Sequence, residues 1–138
     1  MYAAFNKFIF SNDVRIIGKL LQRFMFFQKI RDVPGDIVEL GVFKGSGIAS
    51  WSKFIELTGT YSNRKVIGLD LFDAENKVMD EFENGDKMQI VYDRVYPTDL
   101  TIEKVESNLK VMNIAINRHI LIKGDVIHTT NQTASINF

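Results

Sequence analysis

A glycine-rich segment at residues 32–47 constrains the fold more than any other part of the sequence, and it reads DVPGDIVELGVFKGSG. Pro34 and Gly35 end any helix that precedes them. Residues 36–40 are apolar apart from their acidic residues and are typical of a buried strand. Glycines follow at positions 41, 45 and 47, and a helical pattern then begins. In an α/β sheet such a turn lies at the carboxyl end of a strand, where small ligands bind against the backbone and the helix N-terminus.

Composition excludes several classes of function. The 138 residues include 17 basic and 17 acidic side chains, so bulk electrostatics favour neither a nucleic-acid nor a membrane partner. The absence of cysteine rules out disulfides and cysteine metal sites, and it fits the reducing cytoplasm in which we expect the protein. No run of about 18 apolar residues is present, so no membrane span is expected. Residues 1–10 lack the pattern of a signal peptide, and we expect them to be structural.

Apolar residues at steps of three and four predict a first helix from about Asp13 to about Arg31, which stops before Pro34. The cluster Phe24–Phe27 within it predicts core packing. A second interpretation is that part of this helix covers a cofactor cleft or a subunit interface.

Two later segments have the same periodicity. One begins near Ser46 and ends at Thr58, with Gly59 near the expected C-cap and Trp51 among the packing residues. The other spans about residues 100–112. The long connection at residues 73–98 is rich in charge and predicts a partly ordered insertion near the ligand mouth, with a substrate lid as an alternative.

Two further buried strands are predicted, and each ends at an acidic residue. Residues 65–71 form the second strand and place Asp70 at its carboxyl end, 23 residues after Gly47. In a βαβ unit this position lies beside the glycine turn, where a carboxylate can accept hydrogen bonds from ribose hydroxyls. The alternative is that Asp70 caps a local turn. The third strand begins at His119 and ends near Gly124 and Asp125.

The glycine spacing does not match the two best-known nucleotide-binding motifs. A P-loop requires Gly-Lys followed by Ser or Thr, whereas Lys44 here precedes Gly45. The dinucleotide fingerprint Gly-x-Gly-x-x-Gly does not fit glycines 41, 45 and 47 either. An NAD-type oxidoreductase or a sugar-nucleotide enzyme is therefore disfavoured, and a non-catalytic nucleotide-binding module remains as an alternative.

Three segments together resemble the macrocin O-methyltransferase family of class I S-adenosylmethionine-dependent methyltransferases. They are Val33-Pro-Gly-Asp, the motif Glu39-Leu-Gly-Val-Phe-Lys-Gly-Ser, and Val66-Ile-Gly-Leu-Asp-Leu-Phe-Asp. The resemblance covers about residues 13–130. It implies a Rossmann-like α/β fold with a parallel sheet and helices on both faces. It also implies methyl transfer from S-adenosylmethionine to a hydroxyl of a small molecule, a sugar or a sugar-bearing metabolite.

The resemblance also implies roles for single residues. Glu39 and Gly41 would line the methionine end of the cofactor, and Gly45 and Ser46 would lie near its carboxylate. Asp70 would bind the ribose hydroxyls. The full set of implied cofactor-binding positions is Glu39, Gly41, Val42, Gly45, Ser46, Asp70, Leu71, Asp125 and Val126. His119 is expected to be structural, and His128 is a weak catalytic candidate because it follows Asp125 closely.

The sequence supplies about three of the seven strands of that family, so we expect one domain that is the N-terminal, cofactor-binding part of the fold. Its continuation would lie beyond residue 138 or in a partner, with a homo-oligomer as one arrangement. The family's aspartate-rich metal segment is not present, so a divalent metal such as Mg²⁺ has no ligands here and the catalytic base is unassigned. The first strand, at residues 36–40, is expected to be an open edge with an exposed apolar face.

Overall fold

The computed structural model describes residues 2–59, 63–72, 94–113 and 117–126, together with residue 129. The helices are α1 (Tyr2–Ile9), α2 (Val14–Ile30), α3 (Ser46–Thr58) and α4 (Ile102–Lys110), with a short 3₁₀ helix at Pro97–Leu100. The strands are β1 (Ile37–Leu40), β2 (Val66–Asp70) and β3 (His119–Lys123). Most of the predicted insertion, residues 73–93, and the candidate His128 lie outside the described residues. Among the described helices, none has the length and apolar character needed to cross a membrane.

The predicted helices and strands are confirmed to within about two residues. Asp13 accepts a hydrogen bond from the backbone N–H of Arg15 and so caps α2, as its position before the apolar stripe predicts. Gly59 ends α3 in the left-handed conformation, with φ of 62°. Helix α1 is an addition to the sequence interpretation, and none of its residues is buried.

The three strands form one parallel sheet in the order β1-β2-β3, with β2 in the centre. Ile37 lies opposite Val66, and Val66 lies opposite His119. The carboxyl ends of all three strands therefore meet at one edge of the sheet. This arrangement confirms the predicted α/β, Rossmann-like fold.

One face of the sheet carries the core. Side chains alternate between faces, so Ile37, Val66 and Leu121 share this first face. They pack in one cluster with apolar residues of α3 and α4, among them Ile48, Ile55, Val105 and Leu109. Both described crossover helices thus lie on the first face. The helices expected on the second face are not found within the described ranges.

Helix α2 packs on the outside of α3 through Phe24 and Phe27, whereas Met25 and Phe26 are 62% and 53% exposed, so the prediction of core packing is wrong for these two. The ring of Phe54 lies 5.2 Å from that of Phe24 and 5.6 Å from that of Phe27. The buried guanidinium of Arg64, just before β2, donates to the carbonyl oxygens of Ile30 and Val33. These bonds hold the end of α2 at the edge of the sheet where the strands begin, the amino edge. The earlier turns of α2 therefore point toward the edge where the strands end, the carboxyl edge.

The second face of the sheet is partly open. Val38 and Leu40 of β1 are 43% and 57% exposed, whereas Leu69 in the central strand is 3% exposed. Among the described residues β1 has a single neighbouring strand, as the predicted open edge requires. Exposed apolar residues at an edge strand promote association between chains.

Substitution of Gly68 tests the packing of the first face. A Cβ on this residue would lie 2.6 Å from Val42 Cγ2, 2.9 Å from Ile48 Cδ1 and 3.1 Å from Leu121 Cδ2. We expect Gly68→Ala to lower the free energy of unfolding by about 1–3 kcal/mol through overpacking.

Gly18→Ala is the matched control, because a Cβ at this exposed position of α2 meets no atom within 4 Å. It should stabilise the protein by about 0.5–1 kcal/mol, since alanine loses less backbone entropy in a helix. Urea unfolding of both variants measures the two effects. Equal effects of the two substitutions would contradict the packing described here.

Candidate active site

The carboxylate of Asp70 joins the turns that follow β1 and β2. Its Oδ2 accepts hydrogen bonds from the backbone N–H groups of Val42 (2.6 Å) and Phe43 (2.9 Å). Its Oδ1 accepts one from the N–H of Phe72 at 2.9 Å. The bond from Phe72 is the local turn cap of the alternative interpretation, whereas the bonds from Val42 and Phe43 join Asp70 to the distant glycine turn. A carboxylate has about four acceptor positions, so one is left for a ligand hydroxyl.

Both phenylalanines that Asp70 holds have unusual backbone conformations. The φ angles are 52° for Phe43 and 47° for Phe72, in the left-handed region that non-glycine residues seldom adopt. Such residues cost about 1–3 kcal/mol each and persist only where surrounding bonds fix them. The charge-assisted bonds to Asp70 supply that constraint, so the turns after β1 and β2 are strained but fixed in conformation.

The glycine turn rests directly on α4. Gly45 has φ of 84°, and a Cβ there would lie 2.8 Å from Val105 Cγ1. The Nζ of Lys44 forms an ion pair of 2.9 Å with Asp99, at the 3₁₀ helix. The hydrogen bond from Lys44 is the main reason why the pKa of Asp99 lies below its usual value. Packing against α4 and the ion pair with Asp99 therefore both fix the position of the glycine turn.

Glu39 lies under the first turn of α3. Its Oε2 accepts a hydrogen bond of 3.1 Å from the indole Nε1 of Trp51. A Cβ on Gly47 would overlap both carboxylate oxygens of Glu39, so glycine is required for this close approach. Burial raises the pKa of Glu39, and the charge of Arg23 and the bond from Trp51 partly oppose that rise. A half-buried carboxylate of this kind is suited to a cationic ligand group.

The other predicted site residues divide into exposed and internal positions. Gly41, Ser46, Leu71 and Asp125 are exposed at the carboxyl edge, and a Cβ at Gly41 would meet no atom within 4 Å. Val126 is half-buried. Val42 differs from the rest, because its side chain is 3% exposed and belongs to the core while its N–H bonds to Asp70. A ligand at this edge would meet Gly41 rather than the side chain of Val42.

Two of the contacts at this site were missed by sequence reasoning. The sequence predicts Trp51 to be a packing residue, and it does pack edge-on against Phe54, with ring centroids 6.1 Å apart. Its bond to Glu39 was detectable in principle, since Trp51 follows Gly47 by one helical turn on the same face. The ion pair between Lys44 and Asp99 spans 55 positions of sequence, and nothing local signals it.

The described residues present no group of three or more His, Cys, Asp or Glu side chains that could hold a metal ion. His119 is half-buried at the start of β3, and burial lowers its pKa. The described part of the site offers carboxylates, backbone N–H groups and an open glycine to a ligand.

Comparison with solved structures identifies the fold. The O-methyltransferase NovP matches with a TM-score of 0.61 and 20% identity over 77% of this chain and 44% of its own. The calicheamicin methyltransferase CalS11 matches with a TM-score of 0.61 and 22% identity over 91% of this chain and 51% of its own. Its apo form, a TDP-rhamnose 3′-O-methyltransferase, gives a TM-score of 0.56 and 21% identity over 91% of this chain and 47% of its own.

No family model and no curated protein matches the sequence. The chain spans about half the length of the solved structures that it matches. At these identities the comparisons show that it has the fold of O-methyltransferases of the Rossmann-like class.

The raised pKa of Glu39 predicts a dependence of stability on pH. The folded protein binds this proton more tightly than the unfolded chain, whose carboxyl has a pKa near 4.5. The stabilisation is therefore complete below about pH 4.5 and is lost as the pH rises through the folded value. We expect Glu39→Gln to flatten the stability profile across this window and to raise the free energy of unfolding at pH 7. Urea unfolding between pH 4 and 7 measures the free energy of unfolding of both proteins, and Glu103→Gln at an exposed position is the control. Parallel pH profiles for Glu39→Gln and wild type would contradict the raised pKa of Glu39.

The role of Asp70 predicts a loss of stability when its charge is removed. Asn has one acceptor oxygen, so Asp70→Asn would leave N–H groups of the strained turns without a partner. We expect the free energy of unfolding to fall by about 1–3 kcal/mol. Asp36→Asn is the control, because exposed Asp36 accepts one N–H bond, from Lys65, at the opposite edge. An equal and small effect of both substitutions would show that the turns do not depend on Asp70.

Proposed function

We propose that this chain is the cofactor-binding part of an S-adenosylmethionine-dependent methyltransferase of the macrocin O-methyltransferase type. The observation that carries the proposal is the shared edge of the sheet, where Glu39 and Asp70 lie at the carboxyl ends of β1 and β2 and Asp125 follows β3 by two residues. The fold common to O-methyltransferases supports it. We expect the protein to act in the cytoplasm.

The residues at the edge fit the chemistry of this cofactor. S-adenosylmethionine carries an ammonium group, a ribose diol and an adenine amine, all of which can donate hydrogen bonds to carboxylates. Glu39 would hold the ammonium group, and Asp70 would accept one ribose hydroxyl at its remaining position. Exposed Asp125 would accept a bond from the adenine amine. The open backbone of Gly41 would allow the cofactor to approach the turn closely.

The reaction proposed is methyl transfer to a hydroxyl of a small molecule. The cofactor supplies a methyl group that is already activated by positive sulfur. The role of the protein is then to hold the two reactants in line, which accounts for the rigid construction around Asp70. The acceptor would be a sugar or a sugar-bearing metabolite, a proposal that rests on the resemblance and on the sugar substrate named for CalS11.

Calorimetric titration of the purified chain with S-adenosylhomocysteine and with NAD tests the proposal. We expect binding of the first compound and none of the second. Binding of NAD alone would favour an NAD-type oxidoreductase or a sugar-nucleotide enzyme. Binding of neither would indicate a non-catalytic module and would overturn the proposal.

The adenine assignment has a sharper test. We expect wild-type protein to bind S-adenosylhomocysteine more tightly than its inosine analogue, which has a carbonyl in place of the amine. Asp125→Asn should remove that preference. It should weaken the binding of S-adenosylhomocysteine by about 1–3 kcal/mol, as for a lost charge-assisted hydrogen bond. If the variant keeps the wild-type preference, Asp125 does not contact the amine.

A further inference from the structure

Helix α2 has a second apolar surface besides the one that packs on α3. It lies about a third of the way round the helix from Phe24 and Phe27, which contact α3. This surface, which we call the α2 seam, consists of Val14, Gly18, Leu21 and Met25. The three large side chains of the seam are each more than half exposed. A helix that is apolar on two surfaces is expected to be buried on both, so the seam is suited to contact with another molecule.

The α2 seam has the spacing of a contact between two helices. Its members are separated by four, three and four positions, which is the spacing of the a and d residues of a coiled coil. The seam is also complementary to itself when a second copy of α2 runs antiparallel. Gly18 then lies opposite Leu21 of the second copy, and Val14 lies opposite its Met25. A two-fold axis between Gly18 and Leu21 repeats both pairs, as a symmetric interface requires.

Gly18 has an explanation in this arrangement. Glycine in the middle of a helix is less stable than alanine. A Cβ at this position would meet no atom within 4 Å, so no contact among the described residues calls for glycine here. A second helix that crosses the seam does call for it, because the missing side chain leaves room for Leu21 of that helix.

Helix α1 provides an independent observation. It has eight residues, whereas isolated helices shorter than about 12 residues are marginal in water, and none of its residues is buried. Tyr2, Phe5 and Ile9 follow one another at steps of three and four, so they share one exposed surface. In the antiparallel arrangement, the last turns of α2 in the second copy, with its Met25, lie beside the residues that precede Val14. The second copy would thus cover α1.

We propose that α1 and the α2 seam form the interface of a homodimer, in which the two α2 helices cross antiparallel. This inference goes beyond the function proposed above and does not depend on it. A standard interface buries about 800 Å² on each partner. Because an aromatic side chain can bury about 150–250 Å², the exposed parts of Tyr2, Phe5 and Phe10 would supply about half of that area. The α2 seam and the side chains along it would supply the rest.

An anionic lipid surface is the other partner that an amphipathic helix with basic residues can bind. Insertion into lipid gains from every apolar side chain of a helix, and Gly18 contributes none. Arg15 beside the seam is also paired with Asp13, at 2.8 Å, which reduces its attraction to anionic headgroups. A second copy of the chain is therefore the favoured occupant.

Sedimentation equilibrium of the full chain tests the inference. We expect a monomer–dimer equilibrium, with a dimer of twice 15.8 kDa and a dissociation constant that is micromolar or tighter. Leu21→Gln should weaken the dimer about tenfold to a hundredfold, because the substitution enters a symmetric interface twice. Leu57→Gln is the matched control, since Leu57 is exposed on α3 outside the seam, and it should change the dissociation constant by no more than about twofold.

Gly18→Gln separates a lost interface from a damaged fold. Glutamine forms helices better than glycine, and its Cβ has open space, so urea unfolding in dilute solution should show a monomer at least as stable as wild type. The dimer should nevertheless weaken about tenfold or more, because the new side chain occupies the place of Leu21 of the second copy.

Four results would overturn the inference. The first is a wild-type chain that remains monomeric at every concentration tested. The second is a dimer that neither Leu21→Gln nor Gly18→Gln weakens. The third is a dimer that dissociates on Val38→Gln alone, which would place the contact at the open edge of β1. The fourth is a monomer that binds vesicles of phosphatidylserine and phosphatidylcholine, and that loses this binding on Leu21→Gln.

Discussion

The carboxylate of Asp70 is the interaction on which the carboxyl edge of this protein depends. Its two oxygens hold the turn after β1 through Val42 and Phe43, and the turn after β2 through Phe72. Two of these residues have left-handed backbone conformations that a free turn would not keep. An ionised acceptor in a partly buried setting makes stronger bonds than a neutral one, which is why a single side chain can fix both turns. The shape of the carboxyl edge is thus determined by bonds within the chain.

The rest of the site is arranged around that fixed edge. Helix α4 supports the glycine turn at Gly45, and Glu39 fits beneath α3 only because residue 47 has no side chain. The carboxylates at the ends of the three strands are consequently in different environments: Glu39 is half-buried, Asp70 is bonded to backbone, and Asp125 is exposed. In a ligand with one cation, one diol and one amine, these environments would distinguish the three groups.

Much of this fold follows from local patterns in the sequence. Helix α2 was predictable from its apolar steps and Asp13, and β2 from an apolar run that ends in an acidic residue. The parallel order of the sheet followed from the alternation of strands and helices. Long-range contacts were not predictable in this way. The sequence predicts that Asp70 lies beside the glycine turn, but its bonds to the N–H groups of Val42 and Phe43, and the ion pair of Lys44 with Asp99, depend on how the finished elements pack. Helix α1 was missed because its pattern is short and buries nothing.

The seating of Gly45 on Val105 has a consequence for how such a site changes over time. Val105 is fully buried beneath the turn, and its methyl groups contact the backbone at Gly45 closely enough to set the height of that turn. A smaller or larger residue there would lower or lift the turn without altering any group that a ligand touches. Directed-evolution libraries confined to the visible rim would overlook this position, although it can adjust binding from below.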